Sequence, residues 1–356
     1  MPGGHERRSE SIAAQSPPAG QRSGSRRILG PPSVHRDWSA PMTDFRFGIL
    51  LWSQAATWPE MLDAARRVDR LGYDHLWTWD HLHAIMGDPL QPIYEGYVVL
   101  GAWATATEHT KLGLLVGANT FRNPGLVAKA VTTLDHASAG RAILGIGGAW
   151  FEYEHTAHGI EFGSGFGQRL DWLDESATAI RALLDGGVVT SPPGGRYAFS
   201  ALEHHPLPVQ AHLPVMIGGG GEKKTLRTVA KVADYWNVAG APDVLARKNA
   251  ILAEHCSAVG RDPAAIIRTS NSWIVIRDTK PEAERVWAEQ MARNRSDLKE
   301  DNRYRMFFGP PAYIAEKLLE HVSAGFESTI VELPTPYDVE TIERLVGEVK
   351  PLIDRG

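Results

Sequence analysis

The chain has 356 residues, of which 43% are apolar and 22% charged, with a formal net charge of −5. That supports a sizeable core in one large α/β domain or two smaller ones, and without a lysine/arginine stripe it excludes nucleic acid and anionic membrane as expected partners. The single cysteine, Cys256, excludes an intramolecular disulfide, and no apolar run nears the roughly 18 residues of a membrane span, so a soluble cytoplasmic protein is expected.

Residues 1–41 are rich in Gly, Ser, Pro and Arg and poor in apolar side chains, which cannot offset the entropy of ordering. They read as a disordered tail or a start-site artefact, with Met42 as the expected natural start. Arg26-Arg27 is followed by only Ile28 and Leu29 before Gly-Pro-Pro, which is no hydrophobic region for a twin-arginine signal.

From Phe45 onward, apolar runs alternate with amphipathic stretches. Strands are expected over 46–51, 75–79, 111–116, 142–146, 214–217, 235–238, 268–276 and 329–333. Helices are expected over 58–71, 96–107, 124–138, 168–184, 223–233, 242–259, 281–294, 311–324 and 339–353. Thr57-Trp58-Pro59-Glu60 is a capping box, and Met61, Leu62, Ala65 and Val68 then share one helical face. Gly72 sits where a left-handed helix stop is wanted. Residues 188–214 hold five prolines plus Gly194-Gly195, which suggests a small hairpin-like insertion after the fourth unit.

About eight βα units imply a parallel sheet with helices outside it, and favour a closed (β/α)8 TIM barrel over an open sheet of about five or six units. Gly145-Ile146-Gly147-Gly148-Ala149-Trp150 imitates a dinucleotide fingerprint. It lacks the third glycine, follows the fourth strand, and leads into residues 151–155, which do not open as an obvious helix.

The chemistry is expected where Leu76-Trp77-Thr78-Trp79 ends in Asp80-His81-Leu82-His83. Histidine exchanges a proton near neutrality, and the adjacent Asp80 is expected to orient His81 or stabilise its charge. An isolated histidine here would be more simply satisfied by backbone. Trp52, Asp80, His81, Val116 and Gly147, however, all fall at ends of successive strands, which converge on one mouth of a barrel. His81 and His83 have the spacing of a metal pair, yet the later strand ends (Gly218, Asn237, Pro334) supply no further ligands, so no metal is expected.

Gly218, Gly219, Gly220 and Gly221 precede a helix and suit the phosphate of a nucleotide-like cofactor, although the spacing to Lys223 is not that of a Walker motif. Trp52 and Trp150 are the candidate aromatic walls for a planar ring. Glu152, Glu154, His155 and His158 read as a largely solvated polar cluster. Cys256 reads as a partly buried helix thiol.

Taken together, these segments resemble the luciferase-like monooxygenase family and cover nearly all of 45–353. The carriers are Asp80-His81-Leu82, Leu112 to Val116 with Phe121-Arg122-Asn123-Pro124, Ser138-Ala139-Gly140-Arg141 with Leu144 to Trp150, Glu154-His155, and Ile217 to Gly221 with Ala233-Asp234-Tyr235-Trp236-Asn237. The branch most alike uses the deazaflavin coenzyme F-420. The resemblance implies that Asp80 and His81 lie beside the cofactor ring, with His81 assisting proton transfer. It also implies a non-proline cis peptide at Leu115-Val116 behind the ring, the cofactor phosphate at Gly218 to Gly221, and Gly147, Gly148, Trp150 and Trp52 around the mouth. One departure stands out: sugar-phosphate dehydrogenases of the branch have a proton-donating glutamate where this chain has Trp150.

The expected activity is hydride transfer between F-420 and a small organic molecule. The alternatives are an oxygen-using monooxygenase with reduced FMN on the same frame, and a non-catalytic flavin-binding protein. A homodimer is what the family resemblance implies. Substrate specificity is expected in the loops 82–96, 151–167 and 298–310.

Overall fold

In chain order the strands are β1 (Arg46–Leu51), β2 (His75–Thr78), β3 (Lys111–Leu114), β4 (Gly117–Ala118), β5 (Ala142–Gly147), β6 (Val215–Gly218), β7 (Tyr235–Val238), β8 (Ile267–Ile276), β9 (Met306–Gly309) and β10 (Ser328–Leu333). They belong to a computed structural model that describes residues 45–296 and 300–355. All pairings between these strands are parallel, and β10 pairs with both β1 and β8, so the sheet closes on itself. The result is an eight-stranded TIM barrel. β3 and β4 form one interrupted strand, broken at the cis peptide Leu115-Val116.

Between the strands lie α1 (Trp58–Arg70), α2 (Gly96–Ala106), α3 (Pro124–Ala137), α4 (Glu152–His158), α5 (Phe166–Leu184), α6 (Thr225–Val232), α7 (Pro242–Ala258), α8 (Lys280–Arg293) and α9 (Pro311–Ser323). After β10 come α10 (Val339–Arg344) and α11 (Lys350–Ile353), joined by a π turn, Leu345–Val349. The capping box forms as read: Thr57 N donates to Glu60 Oε2 at 2.8 Å, and the Thr57 hydroxyl accepts from Glu60 N. Gly72 takes φ +77°, the left-handed stop.

Strand alternation sorts the core into two layers. Phe47, Ile49 and Leu51 of β1 face the helices, where Met61, Ala65 and Val68 of α1 meet them. Leu50 and the following Trp52 face the barrel interior with Trp77, Met216, Trp273 and Ile330. The fully buried Trp77 fits there because β3 carries Gly113 beside it; a Cβ at that position would overlap the indole.

Two readings of the sequence need correction. The segment 298–310, read as a loop, contains a 3-10 turn (Glu300–Arg305) and β9, which pairs with the far end of β8. Residues 152–158, not expected to be helical, form α4. The insertion is hairpin-like as expected, with Val189 and Leu202 bridged antiparallel. The expectations for residues 1–41 lie outside the described residues. No helix among the described residues is long and apolar enough to cross a membrane.

Candidate active site

The carboxyl ends of the strands surround a cavity of about 460 Å³. Asp80 and His81 enter it after β2, Leu115 and Val116 between β3 and β4, Gly147, Gly148 and Trp150 around the end of β5, and Gly218 and Gly219 at the end of β6. Residues far apart in the chain thus meet at one opening, as the barrel reading requires. Three expected members do not reach the wall. Trp52 is fully buried and lies behind Trp79, ring centroids 4.7 Å apart; Trp79 occupies the wall in its place. The Gly220 carbonyl instead accepts from Lys248 Nζ. Gly221 packs on Thr225, where a Cβ would come within 2.7 Å of Oγ1.

The partner of His81 is not Asp80. Its Nδ1 lies 2.9 Å and 3.2 Å from the two carboxylate oxygens of Glu154, which also accepts from Leu82 N at 2.8 Å. Glu154 is 1% exposed and His155 is fully buried, so the cluster read as solvated is half interior. The first turn of α4 is what carries Glu154 inward. His155 is held by Phe151 O at Nδ1 (2.8 Å) and Thr120 Oγ1 at Nε2 (2.6 Å). Burial pushes its pKa below the ordinary histidine value against those contacts, so it sits as a neutral ring between a donor and an acceptor. A carboxylate on Nδ1 fixes the His81 tautomer and leaves Nε2, which has no partner among the described residues, as the nitrogen for proton exchange.

Asp80 does a different job. It takes a bidentate pair from Arg122 (2.7 and 2.9 Å) and accepts from Ala118 N at 2.8 Å, which ties β4 to the end of β2. Burial works against the Arg122 charge, but Asp80, with Glu95 at 2.5 Å, more than offsets it and holds the guanidinium above its ordinary pKa.

Glycines shape the wall. A Cβ at Gly145 would overlap the Leu114 carbonyl oxygen, and one at Gly147 would lie 2.6 Å from Val116 Cγ2. At Gly218 both Val116 methyls would be in the way, at 2.7 and 2.8 Å. The false dinucleotide fingerprint is therefore a packing device: its glycines admit the irregular backbone of the preceding strand.

The floor carries polar residues to which sequence reasoning gave no place in the cofactor site. Asn237 Nδ2 donates to Asn271 Oδ1 (2.5 Å), and Asn271 Nδ2 donates to Glu332 Oε1 (3.0 Å). Glu332 also accepts from Trp273 Nε1 (3.1 Å) and Arg305 Nη1 (3.3 Å), while the Arg305 guanidinium lies 3.8 Å from the Trp273 ring centroid. Nothing local marks these side chains; only the convergence of strand ends does. His83 points to another partner, Pro89 O at 3.2 Å. Among the described residues, no group of three or more His, Cys, Asp or Glu is placed to hold a metal ion.

The family model described as luciferase-like monooxygenase matches residues 42–328. The chain belongs to the luciferase-like monooxygenase family. It is an enzyme of oxidoreductase type. An F420-dependent glucose-6-phosphate dehydrogenase of Microbacterium testaceum is 27% identical over 328 residues, 85% of this chain and 95% of that one. Among solved structures, the coenzyme F420-dependent tetrahydromethanopterin reductase of Methanopyrus kandleri superposes with a TM-score of 0.72 at 20% identity, covering 86% of this chain and 99% of that one. A monooxygenase from Streptomyces bottropensis gives the same TM-score, 0.72, at 19% identity with the same coverage. A protein named as an F420-dependent reductase and one named as a monooxygenase thus share this fold.

Proposed function

We propose that the chain is a deazaflavin-dependent oxidoreductase that transfers hydride between coenzyme F-420 and a small organic molecule. The observation that carries this reading is that His81 and Gly219 line one and the same cavity. Its volume of about 460 Å³ lies within the roughly 300–1,000 Å³ usual for small-molecule and cofactor sites. The relatives named for F420 favour the deazaflavin over FMN.

The wall fits such a group. Trp79, Leu115 and Val116 offer a firm apolar backing for a planar ring, and the glycine end at Gly218 and Gly219 lets a polar tail approach backbone without meeting a Cβ. Gly220 and Gly221 would continue that cradle toward the start of α6, where a phosphate is favoured by the helix end. Bound there, the deazaflavin would supply the ring carbon that gives or takes hydride. His81 would release or accept the accompanying proton at Nε2, with Glu154 holding Nδ1. Asp80 is a positioning residue: paired with Arg122, it fixes the strand end from which His81 projects.

Separate fluorescence titrations with oxidised F-420 and with FMN test the reading, followed by turnover of the reduced forms with and without oxygen. F-420 is expected to bind at least about tenfold more tightly, a difference of ~1.4 kcal/mol. Tighter binding of FMN with oxygen-dependent turnover would establish the monooxygenase instead. Binding without redox turnover, indifferent to His81→Ala, would establish the non-catalytic protein.

A further inference from the structure

The connection between β2 and α2, residues 79–95, holds no helix and no strand beyond one isolated bridge. It carries His81 and, at Ile85 and Met86, an apolar part of the cavity wall. A βα loop usually runs to roughly 2–6 residues, and a longer one is mobile unless contacts hold it. This one is held, by a side chain from the end of β1. Gln54 is fully buried. Its Oε1 accepts from Ile85 N at 3.0 Å and from Met86 N at 3.1 Å. Its Nε2 donates to Met86 O at 3.0 Å and to Asn294 Oδ1 at 3.1 Å. Every hydrogen-bonding position of the amide is filled.

Asn294 extends the hold beyond the loop. It follows α8, is itself fully buried, and donates from Nδ2 to Gln290 O (2.9 Å) and Thr335 O (2.8 Å). Gln91, farther along the loop, donates from Nε2 to Met86 O and Asn294 O, both at 2.9 Å. Gly87 lets the two segments meet: it takes φ +72°, and a Cβ there would stand 2.3 Å from Arg295 O and 2.5 Å from Asn294 O. Backbone ties the return of the loop to the same place, Ala55 N donating to Pro92 O at 2.8 Å. A buried amide network with every member satisfied is rigid, and removal of one member strands its backbone partners.

We infer that Gln54 is a positioning residue of the site: it fixes the backbone of Ile85 and Met86, so that this wall stands in place before a ligand arrives. The inference deepens the proposed function and rests on its assignment of the cavity. Leu82 N is pinned to Glu154 at the near end of the same segment, so the run from Leu82 to Met86 is clamped at both ends. Only the Ile85 and Met86 side chains are left to adapt. Selectivity on this side is one of shape, set by two apolar side chains on a fixed backbone.

The test reads amide exchange of the ligand-free full chain by mass spectrometry at pH 7. Affinity for whichever of F-420 and FMN binds is then read from tryptophan fluorescence. Gln54→Leu removes all four bonds at similar bulk. Exchange in peptides covering 82–93 is expected to rise at least about tenfold, while peptides covering β5 and β6 keep their protection. Cofactor affinity is expected to weaken about tenfold, because only molecules with the wall in place bind. Gln54→Glu, uncharged when buried, keeps an acceptor for Ile85 and Met86 and one donor, and is expected to hold both readouts within about threefold. Should Gln54→Leu not fold, Gln91→Leu, which removes a lesser anchor, is expected to raise exchange in the same peptides about threefold. Unchanged exchange over 82–93, a rise spread evenly over the barrel, equal losses in Gln54→Glu and Gln54→Leu, or a loosened segment with unaltered affinity overturns the inference. Preference for FMN would overturn the cofactor reading alone. Binding of neither cofactor would overturn the proposed function, while the exchange comparison still decides whether Gln54 holds the segment.

Discussion

At the scale of single residues, the site turns on which carboxylate serves the histidine. The chain places Asp80 next to His81, and adjacency made it the natural partner. Successive residues at a strand end, however, point in different directions, and the carboxylate that arrives at Nδ1 comes from α4. Two variants separate the roles. His81→Ala is expected to lower kcat by roughly 10²–10⁴, the usual worth of a positioned acid or base, while cofactor affinity measured by titration moves little. Glu154→Gln replaces the carboxylate with an amide that can donate as well as accept, so the Nδ1–H tautomer is no longer enforced and kcat should fall while cofactor affinity stays. An unchanged kcat would mean that Glu154 only anchors Leu82 N. The sequence did show that titratable groups gather beyond β2, because an apolar strand stops there. It could not show Arg305 or Glu332, whose relevance exists only once the barrel closes and brings β10 beside β8.

At the scale of elements, the glycines of β5 and β6 are bound to the irregular segment of the neighbouring strand. Gly218→Ala would set a methyl against both Val116 methyls, so rotation of the valine gives no relief. Overpacking of this kind costs roughly 1–3 kcal/mol, measurable as a shift of the urea midpoint. Val116→Ala should restore much of the loss in the double variant, a coupling that two independent substitutions would not display. Much of the element plan was legible: β1 and β7 end where hydrophobic patterning puts them, and α1 begins at its capping box. α4 was not, since seven residues with no apolar stripe give no helical period to read, and its burial comes from contacts to His81 and Thr120. β9 was hidden for a related reason: four residues inside a polar segment are too short to show alternation.

At the scale of the whole molecule, two histidines far from the site make the fold acid-sensitive. His75 lies inside the barrel and His321 on α9 beside Ser270, both 1% exposed. Burial lowers the pKa of His75 to about 3 and that of His321 to about 4, whereas the unfolded chain takes up both protons near 6.5. Below about pH 6.5 the unfolded state therefore binds more protons. Stability that is fully present above that pH falls by ~1.4 kcal/mol per unit for each histidine until the folded values are reached. Urea unfolding from pH 7 to 5 should show that slope, and His321→Asn should flatten it; an equal slope in the variant would assign the loss elsewhere. Eight strands could be counted from alternation alone, and their closure followed from the number of βα units, so the architecture was the most legible feature of the chain. The central claim is that His81 and the Gly218-Gly219 end serve one cofactor, and a crystal structure of the chain soaked with F-420 tests it most directly. The account places the deazaflavin ring against His81 and Val116 with its phosphate at Gly218 and Gly219; a cofactor seated elsewhere, or one whose phosphate lies away from those glycines, would contradict it.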